Sequence, residues 1–302
     1  MTADLYLLVP IRHPAMVSDQ EHQYRCLEAL FASLAGQTDQ RYVLRVICDE
    51  SQVLPPLPPQ GERVDVDIPP PIKPSDQDRA QEVLNPFRVD KGKRLLAGLD
   101  GVPPHAFVMN VDDDDLLHCD VVGSILAGPD AVDGWVIDRG YVWFDGNDAI
   151  YEADGLHLAC GTTIAVRAKH FKFSDTTALK DDILMELAGH RDWFALLNSD
   201  GMSYERLPYR GVIYRRGHAN SMQTRLLPTS APVAPIWTPS GLLARMPHGL
   251  RLRIKRFLHA RRNAGAGPAD ALLYHWDRPH PFTGELYASM MGGKLEAKDS
   301  AA

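Results

Sequence analysis

Residues 107–117 have the sequence FVMNVDDDDLL, in which a short apolar run leads directly into four consecutive aspartates, Asp112 to Asp115. Short apolar runs of this kind are typical of fully buried strands in parallel sheets. The four acids are therefore expected at the carboxyl end of a strand. Adjacent carboxylates repel one another, and acids that serve solubility alone would alternate with lysines. The pattern predicts a bound Mg²⁺ or Mn²⁺, because these ions prefer oxygen ligands from carboxylates and substrate phosphates.

A second interpretation of the same loop needs no metal ion. It is a solvated acidic turn at the start of a helix over residues 116–126, with Asp114 or Asp115 as the N-cap. Under the first interpretation the backbone is extended, so Asp112 and Asp114 would point to one side and Asp113 to the other. Both interpretations remain open from the sequence.

The sequence before this loop predicts a parallel sheet. Residues 5–10, LYLLVP, form an apolar run that stops at Pro10. Ser18 and Glu21 then form a capping box, and apolar residues recur at helical spacing after them. Residues 42–51, YVLRVICDES, predict another strand, which ends in acidic and hydroxyl residues. Strand, helix and strand in this order predict a right-handed parallel unit.

The middle of the chain changes character. Residues 135–153 contain WVIDRGYVWF, the turn-forming DGND and AIYEA, which together predict antiparallel strands. Further strands are expected at CGTTIAVR and GVIYRR, and helices over residues 91–99, 176–187 and 192–197. The predicted fold class is therefore α/β, with a mixed, mainly parallel sheet flanked by helices.

Composition excludes several classes of protein. The chain has 302 residues, 45% of them hydrophobic, which is enough for one large core or two modest ones. Lys and Arg number 32 against 39 Asp and Glu, and the net charge of −7 argues against a protein built to bind nucleic acid. Four scattered cysteines favour buried thiols in a reducing compartment. No apolar stretch approaches the roughly 20 residues of a membrane span, so a cytoplasmic location is expected.

The end of the chain differs from the rest. Beyond residue 223 proline, arginine and small residues dominate, which predicts a core domain over residues 1–223 and a C-terminal extension over 224–302. Residues 245–262 carry seven Lys and Arg and no acid, with apolar residues at helical spacing. One interpretation is a basic amphipathic helix that lies on an anionic membrane surface. The other is a helix packed on the core with its cations in solvent or paired with acids.

Eight short motifs in one order resemble the family 2 glycosyltransferases of GT-A fold. They are VPIRHP, SLAGQT, VICDES, KGKRLLAGL, FVMNVDDDDLL, GTTIAVR, RDWFALL and YRRGHANS, within roughly residues 4–222. The resemblance implies an inverting transferase that moves a sugar from a nucleotide-diphospho sugar, most commonly a UDP-sugar, to an acceptor hydroxyl. The acceptor would be a glycan or a lipid-linked molecule, and the cofactor would be Mn²⁺ or Mg²⁺.

The resemblance also implies which residues bind the donor. In the family, the first strand end lies against the nucleobase, the acid after the second strand binds base or ribose, and a basic segment lies near the diphosphate. The matching positions, together with the start of the acidic loop, are Pro10, Ile11, Arg12, Asp49, Lys91, Lys93, Asp112 and Asp113.

Metal ligands and a general base follow from the same resemblance. Asp112 and Asp114 match the D-x-D motif, whose last acid commonly binds the metal, and His218 falls where many such enzymes have a further metal ligand. The predicted metal ligands are thus Asp112, Asp114 and His218. Asp192 matches the acid that takes the proton from the acceptor hydroxyl. The simpler roles are a helix N-cap for Asp192 and a polar turn residue for His218.

Four positions depart from the family pattern. Arg12 stands where Tyr or Asn is usual, Cys48 and Glu50 alter the turn after the second strand, and Arg191 replaces the Glu that precedes the base. Other candidates for the base are therefore Asp181, Asp182 and His190. The same departure allows a catalytically silent scaffold of a polysaccharide-assembly complex. A sugar-phosphate nucleotidyltransferase is a third candidate, although its glycine-rich basic first loop is missing.

Overall fold

The computed structural model describes residues 4–72, 80–171, 180–199, 201–218, 220, 276–281 and 290. Its larger sheet has seven strands: β1 (Leu5–Pro10), β2 (Tyr42–Cys48), β3 (Gly61–Asp65), β4 (Phe107–Asn110), β6 (Gly134–Val136), β9 (Ile164–Arg167) and β10 (Tyr204–Arg206). Their order across the sheet is β10-β6-β9-β4-β1-β2-β3.

The larger sheet is mixed and mainly parallel, as the sequence predicted. β1 pairs in parallel with β2 and β4, β2 pairs in parallel with β3, and β6 pairs in parallel with β10. β9 alone runs in the opposite direction, between β4 and β6. The side chains of β4 are all buried, which explains why this strand is a continuous apolar run without polar alternation.

A smaller sheet of five strands packs beside the first. It contains β5 (Leu116–Leu117), β7 (Arg139–Phe144), β8 (Ala149–Asp154), β11 (Arg210–Arg216) and β12 (Trp276–Pro281), in the order β12-β8-β7-β11-β5. β7 and β8 form the antiparallel pair predicted around the DGND turn.

Five described helices cover the sheets: α1 (Gln20–Ala35), α2 (Ala80–Gly98), α3 (Val121–Leu126), α4 (Asp181–Leu187) and α5 (His190–Leu197). The α/β class is thereby confirmed. The apolar faces of α1 and α2 pack on opposite sides of β1 and β2, so two hydrophobic clusters lie on the two faces of one sheet. None of the helices in the described ranges is both long and apolar enough to cross a membrane.

Three local predictions are wrong. Residues 116–117 form β5 and pair with β11, so the helix expected over 116–126 begins only at Val121 and neither Asp114 nor Asp115 caps it. Asp19, not Ser18, is the N-cap of α1, and its carboxylate accepts the N–H of His22. Gly189 is the N-cap of α5, which removes the capping role suggested for Asp192.

Part of the predicted C-terminal extension joins the core. β12 pairs with β8 at the edge of the smaller sheet, and the buried Met290 accepts a hydrogen bond from the backbone of Cys119. The basic segment 245–262 lies outside the described residues, and the boundary near residue 223 stays a prediction. All four cysteines are buried and unpaired with one another, as expected.

Candidate active site

The carboxyl ends of β1, β2 and β4 lie side by side because the three strands are parallel neighbours. Arg12, Asp49 and the acidic loop Asp112–Asp115 follow these three strand ends, so all of them reach one edge of the sheet. β9 runs the other way, and residues 160–163 before it therefore reach the same edge. Ligands of open α/β sheets bind at such an edge.

Each of the four consecutive aspartates has a different side-chain partner. The chain turns at residues 113–114, so the alternation expected of an extended strand is wrong. Asp112 Oδ1 accepts hydrogen bonds from the Lys91 ammonium at 2.5 Å and from the Asn110 amide at 3.1 Å. Asp113 Oδ2 accepts a hydrogen bond from the Gln23 amide at 2.9 Å.

Asp115 is fully buried and has a structural role. Its Oδ2 accepts hydrogen bonds from the Thr162 hydroxyl at 2.5 Å and from the Cys160 thiol at 3.2 Å. Its Oδ1 accepts the backbone N–H of Arg215 at 3.2 Å. Burial, and then repulsion from Asp114, raises the pKa of Asp115 well above its ordinary value. Through these hydrogen bonds Asp115 ties the loop to the segment before β9 and to β11.

The pKa values of Asp112 and Asp113 are shifted in opposite directions. Burial acts to raise the pKa of Asp112, but the charge and hydrogen bond of Lys91 outweigh it, so the net pKa is lowered. Burial, and then repulsion from Asp114, raises the pKa of Asp113. The repulsion expected from the sequence is thus relieved in part by the Lys91 ammonium beside Asp112.

Gly161 allows Asp112 to lie against the segment before β9. A Cβ at position 161 would lie 2.4 Å from Asp112 Oδ2 and 3.1 Å from Asn110 Nδ2, so a side chain there would displace the carboxylate. The backbone N–H of Asp112 donates to Thr162 Oγ1 at 2.9 Å. The glycine of the GTTIAVR motif is therefore required by close packing at the site.

His218 is buried between a carboxylate and a second imidazole. Its Nε2 lies 2.6 Å from Asp114 Oδ2. Its ring stacks on that of His22, with the centroids 4.9 Å apart and 20° between the planes. His22 Nε2 lies 2.7 Å from Asp145 Oδ2, and Asp145 also pairs with Arg215 at 3.2 Å. The His218 ring is thus held by the contact of Nε2 with Asp114 and by stacking on His22.

Asp114 and His218 fit two positions of a divalent cation site. A carboxylate oxygen and an imidazole nitrogen are both ligands of Mn²⁺, and the two side chains already meet. Asp112, the third predicted ligand, is paired with Lys91 instead. The structure therefore brings together two of the three predicted metal ligands.

A different trio is the only group of three His, Cys or acidic ligand atoms within 4.8 Å of one another in the described ranges. It consists of His118, Cys119 and Asp120, at the turn before α3. His118 Nδ1 accepts the backbone N–H of Asp120 at 3.2 Å, so the lone pair of that nitrogen is already engaged. The trio contains none of the three metal ligands that the sequence predicts.

The first strand end forms one wall of the site. Pro10 ends β1, and Ile11 continues the pairing with β2 through a backbone hydrogen bond of 2.8 Å. The Arg12 guanidinium lies 5.9 Å from the centre of the Phe87 ring. Arg12 Nη1 also donates to the backbone oxygen of Asn220 at 2.7 Å. The residue that departs from the family pattern is thus held in a defined position.

Asp49 lies in a tight turn after β2. Hydrogen bonds from the hydroxyl and the backbone N–H of Ser51 lower the pKa of Asp49, so its carboxylate is ionised. His13 Nε2 lies 3.5 Å from Asp49 Oδ2. Arg63 donates to three backbone oxygens of the turn 49–52, at 2.7 to 2.9 Å. The turn is therefore rigid and presents a negative charge beside the first wall.

The two candidate lysines of α2 have different surroundings. Lys91 contacts Asp112, whereas Lys93 is exposed to solvent. Residues two apart on a helix are about 200° apart around its axis, so both cannot face the acidic loop. Of the two lysines predicted to lie near the diphosphate, Lys91 is therefore the one that contacts the acidic loop.

Asp192, the predicted base, lies in the first turn of α5 and forms an ion pair. Its Oδ2 is 2.9 Å from Arg88 Nη2, which also donates to the backbone oxygen of Met185 at 2.7 Å. About two fifths of the Asp192 side chain remains exposed. The two alternative acids, Asp181 and Asp182, are exposed on the first turn of α4.

His190, the remaining alternative, begins α5. Burial lowers the pKa of His190 to about 4, so its ring is neutral at pH 7. Its Nε2 is buried and has no hydrogen-bond partner among the residues that the structure describes. Lys91 and Asp112 both act electrostatically on this ring, which indicates that the start of α5 lies near the acidic loop.

Sequence reasoning missed four residues of the site: His22, Gln23, Asp145 and Asn220. Two of them occur within segments that were quoted for other reasons, Asp145 in the DGND turn and Asn220 in the YRRGHANS motif. His22 and Gln23 lie on α1, where polar residues normally indicate a solvated face. Gln23 is buried in the structure, although the sequence of α1 does not distinguish it from a residue on a solvated face.

Comparisons with known proteins give matches among solved structures. No family model matches the chain. No curated protein matches it. The structure of S. aureus TarS residues 1–349 in complex with UDP has 14% sequence identity, covers 72% of this chain and 61% of that one, and gives a TM-score of 0.42. A second S. aureus TarS structure has 13% identity, with 73% and 38% coverage and a TM-score of 0.40.

A third solved structure, the apo-form glycosyltransferase GlyE of Streptococcus pneumoniae TIGR4, has 8% identity. The match covers 68% of this chain and 45% of that one, with a TM-score of 0.29. This chain thus spans less than two thirds of the length of each of the three chains.

Proposed function

We propose that the chain is an inverting GT-A glycosyltransferase, which transfers a sugar from a nucleotide-diphospho sugar to a hydroxyl of a glycan or lipid-linked acceptor. The observation that carries the proposal is the contact between Asp114 and His218 at the carboxyl edge of the sheet. Arg12 and Asp49 lie at the same edge, as the motif order implies. Acids and cations at one strand edge suit a ligand that combines a base, a ribose and a diphosphate.

Departure of a nucleoside diphosphate requires neutralisation of its negative charge. Asp114 and His218 would hold Mn²⁺ or Mg²⁺, with substrate phosphates and water as the other ligands. When bound, the ion would supply Lewis-acid stabilisation of the leaving diphosphate. The Lys91 ammonium, beside Asp112, would add a second positive charge near the loop.

The acceptor hydroxyl must lose a proton as it attacks the sugar carbon. Asp192 is the proposed base, because it matches the family acid and lies, partly exposed, in the first turn of α5. A base must come within about 3 Å of the hydroxyl that it deprotonates. Asp192 would therefore exchange its Arg88 contact for the acceptor, or bind the acceptor beside it.

One observation favours a second candidate, the catalytically silent scaffold. The Arg88–Asp192 ion pair satisfies the carboxylate that should act as the base. A scaffold of this kind would bind a nucleotide sugar without transferring the sugar. Initial rates of nucleoside diphosphate release distinguish the two candidates, because release requires turnover.

A thermal-shift screen of UDP, GDP, TDP and CMP, each with and without Mn²⁺, tests the proposal on the wild-type chain. A ligand that binds only the folded state raises stability in proportion to ln(1 + [L]/Kd). We expect one nucleoside diphosphate, with UDP as the first probe, to raise the melting temperature more in Mn²⁺ than without it. A response to none of the four contradicts the proposal.

A further inference from the structure

Asn220 connects the segment that carries His218 to the beginning of α1. Its side-chain Oδ1 accepts three hydrogen bonds, from the Ser18 N–H at 3.0 Å, the Ser18 hydroxyl at 2.8 Å and the Asp19 N–H at 3.1 Å. Its Nδ2 donates to the backbone oxygen of Asp19 at 2.7 Å. Asn220 is buried, with 7% of its surface exposed. Both the oxygen and the nitrogen of the side-chain amide are therefore hydrogen-bonded, and they hold Asn220 against the N-cap residue of α1.

The backbone of Asn220 makes a fifth contact, with Arg12 after the end of β1. Its carbonyl oxygen accepts a hydrogen bond from Arg12 Nη1 at 2.7 Å. Arg12 follows β1, and its guanidinium also lies over the Phe87 ring. One residue thus contacts both the first wall of the site and the start of α1.

The first turn of α1 carries the groups that surround the acidic loop. His22 stacks on His218 and bonds to Asp145, and Gln23 bonds to Asp113. The hydrogen bonds between Asn220 and residues 18 and 19 therefore fix the distance between His218 and the first turn of α1. The position of His218 relative to the Asp114 carboxylate depends on the same hydrogen bonds, because only one residue lies between His218 and Asn220 in the sequence.

We propose that Asn220 is a positioning residue. It holds His218 against Asp114, and it holds Arg12 in place after β1, and so couples metal binding to nucleotide binding. The coupling rests on the proposed function, whereas the positioning of His218 can be observed without any ligand. A residue that served only as an anchor would affect thermal stability alone. A positioning residue also changes the metal dependence and the environment of the His218 ring.

Asn220→Ala removes the side-chain contacts, and Thr38→Ala is the matched control. Thr38 lies just beyond the far end of α1, where its hydroxyl bonds to Cys119 O and Asp120 Oδ1. We expect Asn220→Ala to raise the half-saturating Mn²⁺ concentration for UDP-dependent stabilisation by about 10-fold or more, the range seen when groups that orient metal ligands are lost. Asn220→Asp keeps the three acceptor contacts and should fall between wild type and Asn220→Ala. Thr38→Ala should lower the melting temperature without moving the Mn²⁺ half-saturation.

Histidine side-chain NMR on the metal-free protein measures the positioning directly. The ring signals of His218 are assigned by their loss in His218→Gln. We expect them to move in Asn220→Ala and to stay in place in Thr38→Ala. Unmoved His218 signals in Asn220→Ala would overturn the inference, as would an unchanged Mn²⁺ half-saturation in a wild type that does bind UDP. If the signals move but wild type responds to neither UDP nor Mn²⁺, the proposed function fails while the positioning of His218 stands.

Discussion

His218 Nε2 lies 2.6 Å from Asp114 Oδ2, although 104 residues separate the two in the sequence. Asp114 follows β4 of the larger sheet, and His218 follows β11 of the smaller sheet. Their contact therefore joins the two sheets at the edge where the first, second and fourth strands end. A metal site at this contact would depend on the packing of the whole domain.

Asp192→Asn should lower the rate of sugar transfer by about 10²-fold or more, because a general base contributes roughly 10²- to 10⁴-fold. UDP affinity should not change, since Asp192 is proposed to contact the acceptor hydroxyl and not the nucleotide. Initial rates and calorimetric UDP binding measure the two effects. Transfer that survives in Asp192→Asn but is abolished in Asp181→Asn or Asp182→Asn would move the base to α4.

Asp115→Asn and Asp115→Ala should differ in stability. Asn keeps the shape of the buried side chain and an oxygen that can still accept a hydrogen bond, from the Arg215 N–H. Ala leaves the Arg215 N–H and the Thr162 hydroxyl without their partner, at a cost of roughly 1–3 kcal/mol in the free energy of unfolding. Urea unfolding curves measure both. Equal losses in the two variants would contradict the structural role given to Asp115.

Whether the sequence predicts a part of this site depends on how far apart in the chain the interacting residues are. The strand ends of β1, β2 and β4 were predictable, because apolar runs mark buried strands and parallel neighbours end at one edge. The partners of Asp112 and Asp114 were not, since Lys91 and His218 reach the loop only through helix and sheet packing. The D-x-D resemblance grouped Asp112 with Asp114, but in the structure Asp112 contacts Lys91 and Asp114 contacts His218.

The wrong helix start near the acidic loop has a similar cause. Leu116 and Leu117 suit the apolar face of a helix, and local sequence cannot show that they pair with Val212 and Ile213 instead. The helix itself is confirmed from Val121 onward. Long-range strand pairing thus overrides the local helical pattern directly after the acidic loop.

The basic segment 245–262 is proposed to bind anionic membranes, from its sequence alone. Seven cations, each worth about 1 kcal/mol near an anionic surface, should hold the protein on vesicles at low salt and release it at high salt. Truncation after residue 223 would also remove β12, so the better variant replaces the seven cations with glutamine. Flotation with anionic and neutral vesicles at two salt concentrations is the measurement. Equal recovery of both proteins in the lipid-free fraction would favour a helix packed on the core.

The central claim is that Asp114 and His218 bind a divalent cation that assists nucleotide binding. Calorimetric titration of UDP, with and without Mn²⁺, into wild type, Asp114→Ala and His218→Gln tests it most directly, with the exposed Glu28→Ala as control. We predict that Mn²⁺ tightens UDP binding in wild type and control, and that both site variants lose at least about 10-fold of this gain, as expected when a metal site is disrupted. Their metal-free UDP affinity should stay close to that of wild type. An unchanged Mn²⁺-dependent affinity in Asp114→Ala would contradict the account.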